Sequence, residues 1–599
     1  MALFTPSLSP AITVREIDLT GTVPNISSTT GAFVGDFRWG PIDEAILVGN
    51  ETELVNAFGA PTQTGAVDFL SASSFLRYSN SLYVVRVATT AAYNAIDSAG
   101  AEPAASTTLV KNVTDFNSQK GTLEASPSIN FIGKWAGDAA NSLKVSICAA
   151  VDSSGAAAHT LGWDTWAYKS NFDTPPGTSP FVQDLGGSFD ECHVAIIDSD
   201  GTFSGTKGTV LETFEYVSLA SDAKTTDGTT NFIRDVINNG SNYVWAVGEG
   251  AALAANGANT AAVNTNYRDS AQGLNNATKL VDFTLGSGTN TGALQPTQYA
   301  SGFGDGGFDL FDDANTITVD FLIAPGLAGI EDQTTIVNYL TGIVAAADGR
   351  KDAVVVTSPH RNGIVNATPG NAVTASSSLS KAVTKSSYVI MDNNYLKVYD
   401  KYNDQYVYIP AAASTAGLMA GTDAAAGPWY SPAGQRRGLY YGVTGLAYNA
   451  TRSQRDTLYS QGVNPIVNLP GQGVMLYGDK TLEARPTAFN RINVRRLFLV
   501  VERAIKAAAR NVLFEFNDEF TRAEFVNIVE PFLREIQGQR GITDFRVLCD
   551  ETNNTAAVID ANRFVASIFI KPARSINYIT LNFVAVRTGV EFEEVVGSV

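Results

Sequence analysis

The sequence predicts a multidomain protein of mixed α/β class, and three observations predict it. At 599 residues the chain is too long for one hydrophobic core, because domains usually run to ~100–200 residues. Its composition is globular, with 44% hydrophobic and 10% aromatic residues, and its 53 glycines favour loops and β-structure over long helical bundles. Two short apolar runs, NTITVDFLIA (315–324) and DAVVVT (352–357), flank a helical stretch at Gln333–Asp348. That order spells a βαβ unit, in which short β-branched strands enter a parallel sheet.

The elements follow in order. Pro6, Pro10 and Pro24 punctuate residues 1–28, and between them AITVREIDL alternates as a strand does. A lone terminal strand pairs either within its own sheet or with a neighbour's sheet edge. Next come a strand over Gly31–Phe37, a Trp39-Gly40-Pro41 turn and a strand over Glu44–Val48. A helix capped near Asn50, a helix over Ala66–Arg77 and a strand over Ser81–Val87 complete this part. Residues 88–130 are poor in long hydrophobics and rich in Ala, Ser and Thr, and read as an insertion on the outside. HVAIIDSDGTF and TFEYVSLA have strand composition, NFIRDVINNGSNYVWAV reads as helix then strand, and residues 249–300 read as loops. The run 395–410 alternates aromatic and polar residues like a hairpin, and Ala411–Ala420 reads as a helix.

The last quarter carries the strongest patterns. Over Asn493–Asn511, Leu497, Val500, Val501, Ala504, Ile505 and Ala508 make one apolar helix face, while Arg495, Arg496, Arg503, Lys506 and Arg510 make the rest basic. A solvated face is the ordinary reading of such a run, and docking onto an acidic partner is the functional one. A second helix opens on a capping box, Thr521 to Glu524, contains Pro531 and stops at Gly538. The runs ITDFRVLCD, RFVASIFI and SINYITLNFVAV follow as strands with both faces largely apolar, as in a covered sheet. After Gly589 the tail VEFEEVV alternates again.

Composition and motifs exclude several functions. The net charge of −18 opposes a nucleic-acid backbone, which calls for a basic field. Cys148, Cys192 and Cys549 lie far apart and read as reduced, buried thiols rather than metal ligands. The N-terminus lacks a secretory pattern, no apolar run reaches the ~20 residues of a membrane span, and a cytoplasmic folding site is expected. Gly302-Phe-Gly304-Asp-Gly306-Gly307 matches G-x-G-x-x-G, but a polar loop precedes it and Asp305, Asp309, Asp312 and Asp313 crowd the place a phosphate would take. Those aspartates lack the calcium-loop spacing, which leaves a weak cation site as the alternative. Ser358 and His360 end an apolar strand, where catalytic groups often sit, but without a nucleophile elbow. No cofactor, metal or catalytic residue is expected.

Longer words carry a resemblance. VMLYGDKT (474–481), FNRINVRRLF (489–498), CDETNNTAAVID (549–560) and PARSINYITLNFVA (572–585) resemble the tail sheath family of contractile-tailed bacteriophages of the T-even-like type. SPAITVREID (9–18), AFVGDFRWGP (32–41), VYDKYND (398–404) and WYSPAGQRRG (429–438) extend the likeness to nearly the whole chain. It departs in the short stretch 88–130, where some relatives carry a larger outer domain.

The resemblance implies a structural subunit, not an enzyme. Such subunits stack as rings around an inner tail tube, contract to drive it through the host envelope for genome ejection, and are assembled in the host bacterial cytoplasm. It implies partners in other sheath subunits, the tube protein, the baseplate and the tail terminator, with no direct nucleic-acid contact and no membrane insertion. The implied domains are an N-terminal arm (1–28), an α/β part packing with the core (29–88), an outer insertion (89–130), a central sheath domain of subtilisin-like fold (131–385), an inner α/β domain (386–588) and a C-terminal arm (589–599). Arms reaching into neighbours would use Ile12, Val14 and Ile17 at one end and Val590 and Phe592 at the other. Ile579, Leu581 and Phe583 would lie on the receiving sheet, and Arg495, Arg503, Lys506 and Arg510 would face the tube. A sheath from a bacterial contractile injection system is the alternative within the same fold, and an α/β hydrolase the alternative outside it.

Overall fold

Short β-branched runs build the central sheet of the protein. The computed structural model describes residues 28–63, 65–99, 106–124, 129–150, 162–247, 261–265, 267, 280–327, 332–345 and 350–577. From edge to edge the sheet runs Val463–Asn464, Val389–Asp392, Val354–Thr357, Phe321–Ile323, Gly31–Asp36, Leu82–Val87 and Ala45–Val48. All neighbours pair in parallel except Ala45–Val48, which runs antiparallel at its edge.

Both faces of this sheet are covered, which explains why its strands are mostly apolar along their length. Phe33, Phe321, Ile323, Val354, Val356 and Ile390 turn toward the helices Ala66–Leu76 and Ala412–Ala425. Ala32, Val34, Leu322, Val355, Val389 and Met391 turn the other way, toward Gln333–Ala345. The alternation is the period of two that a strand dictates. Each such buried Val, Leu or Phe side chain contributes about 1.5–3 kcal/mol. The helix Ala412–Ala425 is made of small residues because it packs closely: a Cβ on Gly417 would lie 2.5 Å from the Tyr78 ring.

The expected βαβ unit is present, with Phe321–Ile323 and Val354–Thr357 parallel around the helix Gln333–Ala345. The helix Glu51–Phe58 starts at Asn50, whose side chain accepts from Glu53 N. Tyr395–Asp400 and Gln405–Pro410 form the expected hairpin.

A second, antiparallel sheet has the order Val244–Ala246, Phe131–Gly133, Ile96–Ala99, Leu280–Gly286, Leu143–Ala149, Glu191–Asp198 and Thr209–Ser218. Two of its strands come from stretches that read as patternless. Ile96–Ala99 and the helix Val113–Glu124 lie in the run taken as an external insertion, yet the Phe116 ring stacks on Trp245 at 4.0 Å within the core. Leu280–Gly286 lies in the run taken as loop, with only Phe283 and Leu285 fully buried. A half-buried strand carries few apolar residues, so its signal is weak against a polar background.

One side chain joins the loops beside the two sheets. Arg86, fully buried, donates from Nε to Phe37 O (2.8 Å), from Nη1 to Gly40 O (2.7 Å) and from Nη2 to Ala136 O (2.6 Å). Gly40 needs its positive φ of 99°, and a Cβ there would meet Ala57 O at 2.7 Å. Burial pulls the Arg86 guanidinium down to about 10, which still leaves it charged at neutral pH.

Of the described residues, 28–428 with 432–503 make one compact unit, to which these elements belong, and 429–431 with 504–577 make a second. The described part of the second holds the helix Glu519–Gly538 and an antiparallel hairpin, Ile542–Leu548 with Ser567–Pro572. Phe525, Val529, Leu533 and Ile536 form the helix's buried stripe. Its cap is Asp518, which accepts from Thr521 N at 2.8 Å, and not the Thr521 capping box that the sequence suggests; Thr521 is already inside the helix and buried. Pro531 lies within one continuous helix. The hairpin is half-exposed, with Phe569 57% exposed, so among the described residues its two faces are not both covered.

Arg86→Met removes three donors from buried carbonyls, each unsatisfied group costing about 1–3 kcal/mol. Calorimetry should show an earlier first unfolding transition with a loss of about 3 kcal/mol or more. Melting alongside the unaltered protein would contradict the joint.

Candidate functional site

The motifs that suggested chemistry are each occupied by the chain itself. In the glycine-rich loop, the carboxylate of Asp43 accepts from Phe303 N (2.9 Å) and Gly307 N (3.3 Å). The amides that would hold a phosphate in a dinucleotide site therefore hold an internal carboxylate. A Cβ on Gly302 would meet Asp43 Oδ1 at 1.9 Å, and one on Gly306 would meet Asp43 Cγ at 2.1 Å. The glycines make room for Asp43. No group of three or more His, Cys, Asp or Glu residues able to hold a metal occurs among the described residues.

Ser358 and His360 serve separate structural ends. Ser358 Oγ donates to Asp392 Oδ2 (2.9 Å) and accepts from Ala412 N (2.9 Å), fixing the start of the Ala412–Ala425 helix against the sheet. Burial pushes the Asp392 carboxyl up to about 8. His360 Nδ1 accepts from Gly363 N at 3.2 Å, capping a short turn. His193 stacks on Phe172 at 4.5 Å; its Nδ1 accepts from Tyr216 N, so the proton sits on Nε2, which donates to Thr174 O. Burial raises the Cys148, Cys192 and Cys549 thiols and so keeps them from forming the thiolate that reacts.

The basic helix of the sequence is Ile492–Ala509, and its first half is buried on every side. Arg496 is 2% exposed. Its Nη2 pairs with Asp423 Oδ2 and donates to Ser28 O (2.7 Å), and its guanidinium lies 4.2 Å from the Phe321 ring centroid. Ser28 Oγ donates to the same Asp423 carboxylate at 2.9 Å. Arg503 donates to Asp320 Oδ1 (2.7 Å) and Asp352 O (2.8 Å), and Asp320 in turn accepts from Thr30 N (3.0 Å). Burial lowers the Arg496 guanidinium to about 10 and raises the Asp320 carboxyl, against the pull of Arg503 and Arg496. These groups pin the helix to the residues just before three parallel strands, Gly31–Asp36, Phe321–Ile323 and Val354–Thr357.

The four candidate tube-facing cations thus separate. Arg495 and Arg503, expected on an outward face, spend their guanidinium groups inside: Arg495 bonds Ser387 Oγ (2.5 Å) and stacks on Phe489 and Tyr388. Lys506 and Arg510 are exposed. Just beyond them Leu513, Phe514, Phe516 and Phe520 are also exposed, from 62% to 104%. Together with Phe569 and Ile576 they are a large apolar display for an isolated chain. Ile12, Val14, Ile17, Ile579, Leu581, Phe583, Val590 and Phe592 lie outside the described residues.

Sequence reasoning placed Arg496 on the basic face rather than in the core and missed Asp423 and Asp320. The signal was there in INVRRLFLVV, where apolar residues surround both arginines and exceed one stripe. The distant aspartates that complete the pairs leave no local trace.

Asp423→Ala should cost about 3–5 kcal/mol by stranding the Arg496 charge, whereas Arg496→Met combined with Asp423→Leu should regain most of it. A double-mutant cycle by denaturant unfolding measures the coupling. Additive losses would mean that the pair is not coupled.

Comparison with known proteins agrees with this geometry. Residues 309–482 match the phage tail sheath protein central domain, 484–585 the phage tail sheath C-terminal domain, and 28–87 the tail sheath protein Gp18 domain III N-terminal region. The segments 28–87 and 309–482 are the two that supply the strands of the parallel sheet. The chain is 32% identical to the tail sheath protein of Vibrio phage KVP40, covering 98% of this chain and 100% of that one. It is 32% identical to the tail sheath protein of Enterobacteria phage T4, covering 98% and 99%. Its fold is similar to that of the sheath tail protein from Desulfitobacterium hafniense, with a TM-score of 0.51 at 13% identity over 90% of this chain and 94% of the other. With identity at this level along nearly its whole length and a mixed α/β multidomain sheath fold, the chain belongs to the phage tail sheath proteins, a structural and non-enzymatic subunit of the contractile tail sheath in the virion.

Proposed function

We propose that this subunit polymerises helically around an inner tail tube and contracts to drive that tube through the host envelope for genome ejection. The observation that carries the reading is the anchoring of Ser28 by Arg496 and Asp423. It gives a segment preceding residue 28 a rigid root, as an arm that links subunits requires. In this reading the arms 1–28 and 589–599 join neighbouring copies by strand addition, through Ile12, Val14, Ile17, Val590 and Phe592, with Ile579, Leu581 and Phe583 on the receiving sheet. The exposed Phe569 and Ile576 support a sheet that a single chain does not complete. Rotation of subunits about such links, with more interface buried after contraction, supplies the energy without a chemical step.

The cations at the end of the Ile492–Ala509 helix are the proposed tube contact. Lys506 and Arg510 are exposed and free to meet an acidic surface, while Arg495 and Arg503 hold the helix in place. Baseplate and terminator would bind the two ends of the polymer, assembly would take place in the host bacterial cytoplasm, and the parallel-sheet domain would correspond to the subtilisin-like core of sheaths.

Negative-stain imaging tests the assembly. The full chain should form hollow helical tubes, and a chain lacking residues 1–20 should keep its melting temperature yet stay unpolymerised. Normal tubes from the shortened chain would remove the arm from the mechanism. Lys506→Glu with Arg510→Glu should weaken co-sedimentation with tail tubes by about tenfold or more while leaving the fold intact, as expected when charges of a contact are reversed. Unchanged co-sedimentation would refute the tube contact.

A further inference from the structure

In an acidic protein with a net charge of −18, a distinctly basic cleft lies among the described residues. It has a volume of about 360 Å³ and is lined by Lys381, Lys385, Lys480 and Arg485 against a single carboxylate, Glu483. Arg485 pairs with Glu483 at 3.3 Å but remains 81% exposed at its side chain. Lys385 Nζ reaches only Ser380, through its carbonyl and its hydroxyl, and Lys480 Nζ reaches the carbonyl of Tyr459 at 2.8 Å. Burial lowers both lysines, and Arg491 adds to the effect on Lys480. The side-chain oxygen of Gln461, also in the lining, is buried and accepts no hydrogen bond. The cleft therefore offers an excess of positive charge, with Glu483 pairing Arg485 and Asp479 bearing on Lys480, beside an acceptor that lacks a donor. That combination suits a peptide segment, whose carboxylates meet the cations and whose N–H meets Gln461.

The same chain carries the complementary charge elsewhere. Asp305, Asp309, Asp312 and Asp313 crowd the turn around the short helix Gly307–Phe311. Asp305, Asp312 and Asp313 are exposed. Burial and then Asp305 raise Asp309; burial and then Asp309 raise Asp312. The cation that bears on Asp312 is Arg350, whose Nε is already bonded to Asp352 at 2.6 Å. The turn thus presents negative charge that the chain leaves in excess.

The two features cannot meet within one chain. The cleft lies at one edge of the parallel sheet: Gly462 leads into the edge strand Val463–Asn464, and Leu482 N donates to Val389 O in the next strand. The acidic turn is held elsewhere on the same body by its buried Phe308 and Phe311, with Phe311 beside Tyr83 of Leu82–Val87 and its carbonyl accepting from Arg350 Nη1 at 2.5 Å. A patch and its complement fixed at separate places on one rigid body make a head-to-tail contact, which repeats through a ring or helix of identical copies.

We propose that the basic cleft of one copy receives the acidic turn 305–313 of the next copy, as a lateral contact of the polymer. The contact rests on the sheath assembly proposed above. It is distinct from the arms, which link copies through backbone pairing, and it adds a charge-matched register between the folded bodies. Like charges facing each other across such a contact would oppose the wrong register.

A charge swap in the full chain tests it, read by light scattering and negative-stain imaging. Lys381→Glu with Arg485→Glu should raise the threshold concentration for tubes by about tenfold or more, and Asp305→Lys with Asp312→Lys should do the same. All four positions are exposed, so melting temperatures should stay unchanged. The variant carrying all four changes restores opposite charges across the contact and should polymerise near the original threshold. Tubes from either double variant at the original threshold would overturn this contact and leave the sheath assembly standing. Failure of the fourfold variant to recover would also overturn it. If the unaltered chain forms no tubes, the assembly reading falls and the contact with it.

Discussion

The buried pairing of Arg496 with Asp423, and of Arg503 with Asp320, is the constraint on which the body of this protein depends. Two guanidinium groups sit at the starts of parallel strands, where peptide N–H and C=O groups would otherwise lack partners. An ion pair in such a place contributes little net stability relative to apolar residues of the same size. What it contributes is position. Asp423 comes from a helix rooted near residue 411, Asp320 from a strand, Ser28 from the first described residue and both arginines from the helix Ile492–Ala509. The two ion pairs form only when these four segments come together, so they favour that arrangement.

The same use of charge explains why the chain's catalytic-looking motifs do no chemistry. Asp43 fills the glycine-rich loop, Ser358 bonds Asp392 and a helix amide, and His360 caps a turn. In each case the polar group that a substrate would meet is spent on a backbone or side-chain partner within the body. A machine that converts stored packing energy into motion needs rigid bodies joined by links that can turn. Satisfying polar groups internally makes the body rigid.

Much of the fold could be read from local pattern. The βαβ unit, the 395–410 hairpin, the Asn50 cap and the C-terminal helices came from periodicity and turn residues, and the resemblance to sheath proteins came from long words spread along the chain. The strands Ile96–Ala99 and Leu280–Gly286 did not, because one apolar face in a polar stretch resembles a loop. The candidate site was legible only in part. Lys506 and Arg510 stand where the helical pattern sets them, whereas Arg495 and Arg503 turn inward to partners far away in sequence. The Thr521 box gave way to Asp518 because an aspartate three residues earlier reaches the same amide.

The sequence alone determined the class, the family and the identity of several short apolar strands and most helices, because those follow from residue type and spacing over a few turns. Tertiary structure alone decided which charges are internal and which are offered outward. That choice depends on Asp423, Asp320 and Ser387 arriving beside the helix from segments tens to hundreds of residues away, and burial gives each pair its weight only once the sheet has formed.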